Sequence, residues 1–335
     1  MKDLTSEQRS QWIEWIARNL ANGVSQAELA STMATKGFGQ KQIETLTTEV
    51  ISSPVFSVAK AFAWRANNLE GLMDIRNALL GGHPGHLTIE RRSKLSSDEF
   101  FERYYAQNWP VVITDLVQQW PAFEKWSPDY FRKHYGEVVV DIQANRQTDP
   151  VYEVFLKGHT EKVTLGDFSQ MVLEGGETNS FYLTANDRLL EHPSMRSLLE
   201  DFWPFEGLFR SDDRHGKQFL WFGPKGAVSP LHRDRLNVFM TQVFGRKRVK
   251  MISSQALHRV YNFESFFSQV DAENPDLKRF PKFAGVEVID VELEPGDALL
   301  IPVGWWHHVR SLDVSINISL TNFARSNDFE RFYPN

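Results

Sequence analysis

His232 and Asp234 stand two apart in Ser-Pro-Leu-His-Arg-Asp, and His307 follows later in Ile-Pro-Val-Gly-Trp-Trp-His-His-Val. Two neutral imidazoles and one carboxylate on one face leave half of an octahedral coordination sphere free, the facial arrangement used by non-haem Fe(II) oxygenases. The open positions matter because an α-keto acid and dioxygen must reach the same iron. A lone His-x-Asp in 335 residues means little. The weight rests on the three-part constellation.

Residues i and i+2 of a strand face the same way, so a strand would let His232 and Asp234 bind one ion together. Asn237 to Gly245 reads as an apolar strand, Gly245-Arg246 as a turn, and Arg248 to Ser253 as the return strand. Val288 to Pro302 reads as strand, Pro-Gly-Asp turn and strand, delivering His307 just past the second strand's end. Val314 to Thr321 alternates apolar and polar residues. Such a series of short strands and Gly/Pro turns predicts a barrel or jelly roll whose interior holds the site.

With these pieces, and with Asn108-Trp-Pro-Val-Val-Ile113, Gln119-Trp-Pro121, Lys125-Trp126-Ser127, Trp221-Phe-Gly-Pro224, Gly245-Arg-Lys247 and Asp271 to Leu277, the chain resembles the JmjC (Jumonji-C, cupin-like) Fe(II)- and 2-oxoglutarate-dependent oxygenases. The resemblance covers roughly residues 96 to 323. It is closest to the hydroxylase branch, and within it to the JmjC arginyl hydroxylases, through the stretch from Asn274 to Ala284. It implies an α+β, mainly β fold: a double-stranded β-helix (jelly-roll or cupin) barrel with flanking helices. The cofactors implied are Fe(II) and 2-oxoglutarate. The reaction implied hydroxylates a C–H bond of a protein or peptide side chain, arginine being the first guess, and releases succinate and CO2. A small-molecule hydroxylase, an N-methyl demethylase and a catalytically silent binding protein stand as alternatives.

By the same resemblance Lys247 matches the lysine that pairs with the distal carboxylate of 2-oxoglutarate, and Ser229 and Tyr182 match hydroxyls that bind the same carboxylate. Related hydroxylases carry an asparagine six residues after the first ligand. Here that position is Val238 and the asparagine is Asn237, which would face inward only through a bulge or local twist. Ser319 matches a polar position that would supply the missing hydrogen bond. His307 rather than His308 is the ligand by the Trp-His-x-Val pattern. Trp221 reads as an aromatic wall of the cleft or as a core tryptophan. Asp187 reads as a charge partner for a substrate guanidinium or as a solvated loop carboxylate.

Composition is that of a globular protein, with 41% hydrophobic and 24% charged residues. A net charge of −6 argues against general attraction to nucleic acid. Absence of cysteine excludes disulfides, and no run approaches the roughly 20 apolar residues that span a bilayer. The beginning of the chain lacks the apolar stretch of a signal peptide, so a cytoplasmic location is expected. Residues 1–85 form an N-terminal helical region, with helices over Thr5–Leu20, Gln26–Thr35, Gln40–Ile51 and Pro54–Leu80, and Gly81 to Gly85 is the expected linker to a catalytic domain at 86–335. The apolar stripe of the first helix serves as core or as a docking surface, so the protein is expected as a monomer or as a dimer through these helices.

Overall fold

The computed structural model describes residues 4–82, 85–148, 152–153, 158–185, 188–203, 205–264 and 266–333. The chain forms two compact units, Met1–Leu79 and Leu80–Asn335. The division falls inside the last helix of the first unit rather than in the glycine run after it, part of which, His83 and Pro84, lies outside the described residues.

The first unit is helical because its caps and apolar spacing agree. Thr5 opens α1 (Ser6–Ala21) with a capping box, its hydroxyl accepting from the Gln8 amide at 3.2 Å while the Gln8 side chain accepts from the Thr5 amide at 3.1 Å. Ser25 and Glu28 repeat the device at α2 (Gln26–Thr35). α3 (Gln40–Ser52) follows Gly39, and α4 (Pro54–Gly81) starts on proline. Ile16, Leu29, Met33, Ile43, Leu46 and Val50 form the core, with Trp12 set edge-on against Phe38. The stripe expected on α1 is thus largely consumed as packing.

The second unit is built on two six-stranded sheets. The strands are β1 (Glu90–Arg92), β2 (Val111–Ile113), β3 (Val139–Gln143), β4 (Thr160–Thr164), β5 (Gln218–Gly223), β6 (Val228–Arg233), β7 (Val238–Phe244), β8 (Lys247–Ile252), β9 (Asn262–Glu264), β10 (Phe267–Ser268), β11 (Ile289–Leu293), β12 (Ala298–Ile301), β13 (Trp306–Ser311) and β14 (Ser315–Leu320). One sheet runs β1-β2-β12-β7-β14-β5 and the other β11-β8-β13-β6-β10-β9, while β3 and β4 pair separately. From β5 to β8 and again from β11 to β14 successive strands alternate between the sheets, the jelly-roll pattern expected from the short strands and turns.

The period of two sorts each strand between faces. Leu220, Phe222, Phe239, Val243, Ile316 and Ile318 form one core with Trp120, Phe131 and Phe168, which come from the segments around α6 (Pro121–Lys125), α7 (Pro128–Tyr135) and α8 (Leu165–Glu174). Met240, Val249, Met251, Leu299 and Ile301 form a second core, of which Met240 and Ile301 also border the cleft. A strand covered on both faces reads as nearly continuous apolar sequence, as β7 and β12 do.

His307 lies past the end of β12, as expected, and there belongs to a further strand, β13. Ser180 to Thr184 makes isolated bridges, Tyr182 to Gln143 and Leu183 to Phe222. The helix after Ser96 is the short α5 (Ser97–Phe100), continued by a wider π turn over Phe101–Tyr105.

The turn joining β7 to β8 depends on Gly245. Its φ is +66°, and a Cβ there would lie 1.9 Å from the Val314 carbonyl oxygen. Gly245→Ala should therefore cost more than the ~1–2 kcal/mol of left-handed backbone alone. A lowered urea midpoint checks this, and an unchanged midpoint would mean the turn relaxes freely.

Candidate metal centre and cosubstrate pocket

β6 and β13 pair antiparallel and bring the three candidate ligands of the sequence pattern together. His307 lies opposite His232 in the ladder, and their ring centroids are 4.1 Å apart. Nε2 of His307 is 3.5 Å from the Asp234 carboxylate. One donor atom from each of His232, Asp234 and His307 lies within 4.8 Å of the others, the one cluster of this kind among the described residues.

Hydrogen bonding sets the tautomers. Nδ1 of His232 faces the Pro230 carbonyl at 2.7 Å, and Nδ1 of His307 faces the Trp305 carbonyl at 3.2 Å. A carbonyl only accepts, so each Nδ1 carries the proton and each Nε2 keeps its lone pair for a cation. Burial, followed by the neighbouring His232, pushes His307 well below the usual imidazole range, so it is neutral at neutral pH. Desolvation raises the Asp234 carboxyl, with His232 opposing it. A desolvated carboxylate between two proton-free nitrogens fits a divalent cation, which would supply the missing positive charge. His308 points the other way on β13, and its nearest charged influences are Glu273 and Asp271.

Ser229 is three residues from His232, so strict alternation would turn it away. The ladder solves this with a bulge: two steps along β13, from His307 to Val309, match three along β6, from His232 to Ser229. Both residues border the same cavity.

Farther along this cavity lies a buried cation. Lys247 is 1% exposed, and its Nζ donates to the Tyr182 hydroxyl at 2.8 Å and to Asn317 Oδ1 at 2.6 Å. No carboxylate pairs with it among the described residues, and burial lowers its pKa to about 7. A buried ammonium with neutral partners only is a receptor for an anion. Trp221 stands beside Tyr182 with ring centroids 5.8 Å apart, and its indole donates to Ser319 Oγ at 3.1 Å. Trp221 and Ser319 both border the cavity, whose volume is about 1230 Å³.

Asn237 corrects an expectation. Its Oδ1 accepts from the Val303 amide at 2.8 Å, its Nδ2 donates to Asn327 Oδ1 at 3.0 Å, and it is absent from the cavity wall that Val238 borders. No bulge turns it inward at the start of β7, and it ties down the loop leading to His307 instead. The amide that borders the pocket beside Lys247 is Asn317. The alternation of Ser315, Asn317 and Ser319 along β14 was the signal available for it. Asp187 lies outside the described residues.

Arg146 was not foreseen either. Its fully buried guanidinium donates to Glu153 at 2.7 Å, Asn179 at 2.8 Å and the Val228 carbonyl at 2.6 Å, and lies 5.2 Å from the Tyr182 ring centroid. It thereby supports both Tyr182 and the strand that carries Ser229. Its sequence neighbourhood has no pattern that marks this role.

Comparison with known proteins agrees with this geometry. The cupin-like domain profile matches residues 97–328. Lysine-specific demethylase 8 of Xenopus tropicalis is 30% identical over 231 residues, covering 67% of this chain and 50% of that protein. Lysine-specific demethylase JMJ30 of Arabidopsis thaliana is 33% identical over 250 residues, covering 72% and 56%. Arginine-specific demethylase JMJ20 of Arabidopsis thaliana is 28% identical over 256 residues, covering 68% and 54%. The chain thus spans about half the length of these relatives. No helix among the described residues is long and apolar enough to cross a membrane. Fold, ligand triad and sequence similarity together make the chain a member of the cupin-like domain family, in its JmjC group, whose cofactor and cosubstrate are Fe(II) and 2-oxoglutarate.

Proposed function

We propose that this protein hydroxylates a C–H bond of a protein or peptide side chain, with 2-oxoglutarate as cosubstrate. The observation that carries the reading is the presence, in one cavity, of a three-donor cluster and a buried lysine that no carboxylate pairs with among the described residues. His232, Asp234 and His307 would hold Fe(II), which when bound supplies the oxidising chemistry. Lys247, Tyr182 and Ser229 would receive the distal carboxylate of 2-oxoglutarate. Asn317 would orient the lysine, and Ser319 the Trp221 indole.

The pocket wall also favours a substrate with a polar end. Of the carboxylates bordering it, Glu153 is engaged by Arg146, Asp213 by Lys217 and Glu330 by Arg235. Asp328 and Trp221 border the cavity as well, and a carboxylate and an aromatic ring are the kinds of group that a planar guanidinium prefers. Arginine-containing peptides are therefore the first substrates to try.

N-methyl demethylation is the second reading, favoured by the names of the lysine- and arginine-specific demethylases similar to this chain. It is the same C–H oxidation directed at a methyl carbon on nitrogen. Mass spectrometry of peptides incubated with enzyme, Fe(II) and 2-oxoglutarate separates the two. A retained gain of one oxygen supports hydroxylation, and loss of one CH2 from methylated peptides supports demethylation. Succinate production stimulated by a metabolite and by no peptide would move the chain to small-molecule oxidation.

A further inference from the structure

We propose that α4 is the contact surface of a homodimer in which two copies of the helix pack antiparallel. The helix is 28 residues long, and Phe56 is the one buried residue recorded along it. Eight large apolar residues between Val55 and Leu79 are instead 57% to 78% exposed. At 100° per residue they fall on one half of the cylinder, while Ala59, Ala63, Ala66, Glu70 and Asp74 occupy the other. Monomeric proteins rarely leave so large a contiguous apolar face in water.

The size of this face fits a dimer. Eight residues exposed to this degree present roughly 900 Å² per copy, against the ~800 Å² per partner of a standard stable interface. A lipid surface fits less well. The helix does not qualify as a membrane span, and Glu70 and Asp74 offset much of the charge of Lys60, Arg65 and Arg76, leaving little attraction to anionic headgroups.

The direction follows from the two arginines within the apolar arc. Parallel packing would set Arg65 against Arg65 and Arg76 against Arg76 along the seam. Reversing one helix about the point between Asn68 and Leu69 instead sets Val58 against Leu79 of the second copy and Arg65 against its Leu72, so each guanidinium stem lies on an aliphatic side chain. The same reversal makes the contact isologous, as a twofold dimer requires.

The natural chain has no cysteine, so single cysteines report the geometry cleanly. Sedimentation of the full chain at tens of micromolar should show a dimer. Leu69→Glu/Leu72→Glu should weaken it at least a hundredfold while the circular dichroism spectrum and Fe(II) binding stay as in the parent. Under mild oxidation Asn68→Cys should give a covalent dimer and Val55→Cys should not, since antiparallel packing puts the latter positions about 40 Å apart. A full chain that stays monomeric overturns the proposal and leaves the arc to another protein or to lipid. Cross-linking at Val55→Cys, or a dimer that survives the double glutamate variant, overturns it equally.

Discussion

Asp234→Ala should abolish Fe(II) binding and turnover. Asp234 is the sole anionic donor of the cluster, and the two imidazoles left behind offer one Nε2 lone pair each. Two neutral nitrogens hold a divalent ion weakly, and the variant also loses the charge that balances it. The side chain is smaller and already partly open to the cleft, so the barrel should remain folded. Titration calorimetry with Mn(II) or Fe(II) under argon is the measurement. Parent-like affinity in the variant would place the metal elsewhere.

Lys247→Ala should raise the 2-oxoglutarate requirement roughly ten- to a hundredfold, the loss of about 1.5–3 kcal/mol of charge-assisted contact, while Fe(II) affinity changes little. A pH signature should accompany this. In the ligand-free fold burial holds Lys247 at about 7. An unfolded lysine titrates near 10.4. Between these values the unfolded chain binds a proton that the fold does not, so the lysine's destabilising contribution sets in as pH falls below about 10 and is complete below about 7. A bound carboxylate favours the ammonium, so binding above pH 7 takes up a proton. Affinity for 2-oxoglutarate should accordingly fall as pH rises beyond 7, with a limiting slope of about tenfold per pH unit. Calorimetry in buffers of different ionisation enthalpy detects the proton, and Lys247→Ala should flatten the profile. A flat profile in the parent enzyme would mean that Lys247 is already charged before the anion arrives.

Much of the site could be read from the chain alone because the relevant rules are local. A two-residue spacing on a strand puts His232 and Asp234 on one face whatever the rest of the fold does. The same rule separates His307 from His308, and it left Asn237 facing away once β7 began without a bulge. Turn chemistry placed the β7–β8 turn, which puts Lys247 at the start of its strand, but β8 crosses to the other sheet and pairs with β11 and β13 instead of returning along β7.

Tertiary structure decided what depends on partners distant in sequence. Ser229 faces inward only because β13 imposes a bulge on β6. Asn317 belongs to the pocket only because Lys247 reaches it from another strand, at a separation no short-range pattern encodes. Tyr182 is held by isolated bridges and by Arg146 behind it, so its placement owes nothing to a strand of its own. Backbone periodicity acting within a few residues accounts for His232 and Asp234, and the pairing of β13 with β6 brought His307 to them. The candidate anion pocket depends on which side chains the closed barrel brought together, and on the burial that left one lysine without a carboxylate partner among the described residues.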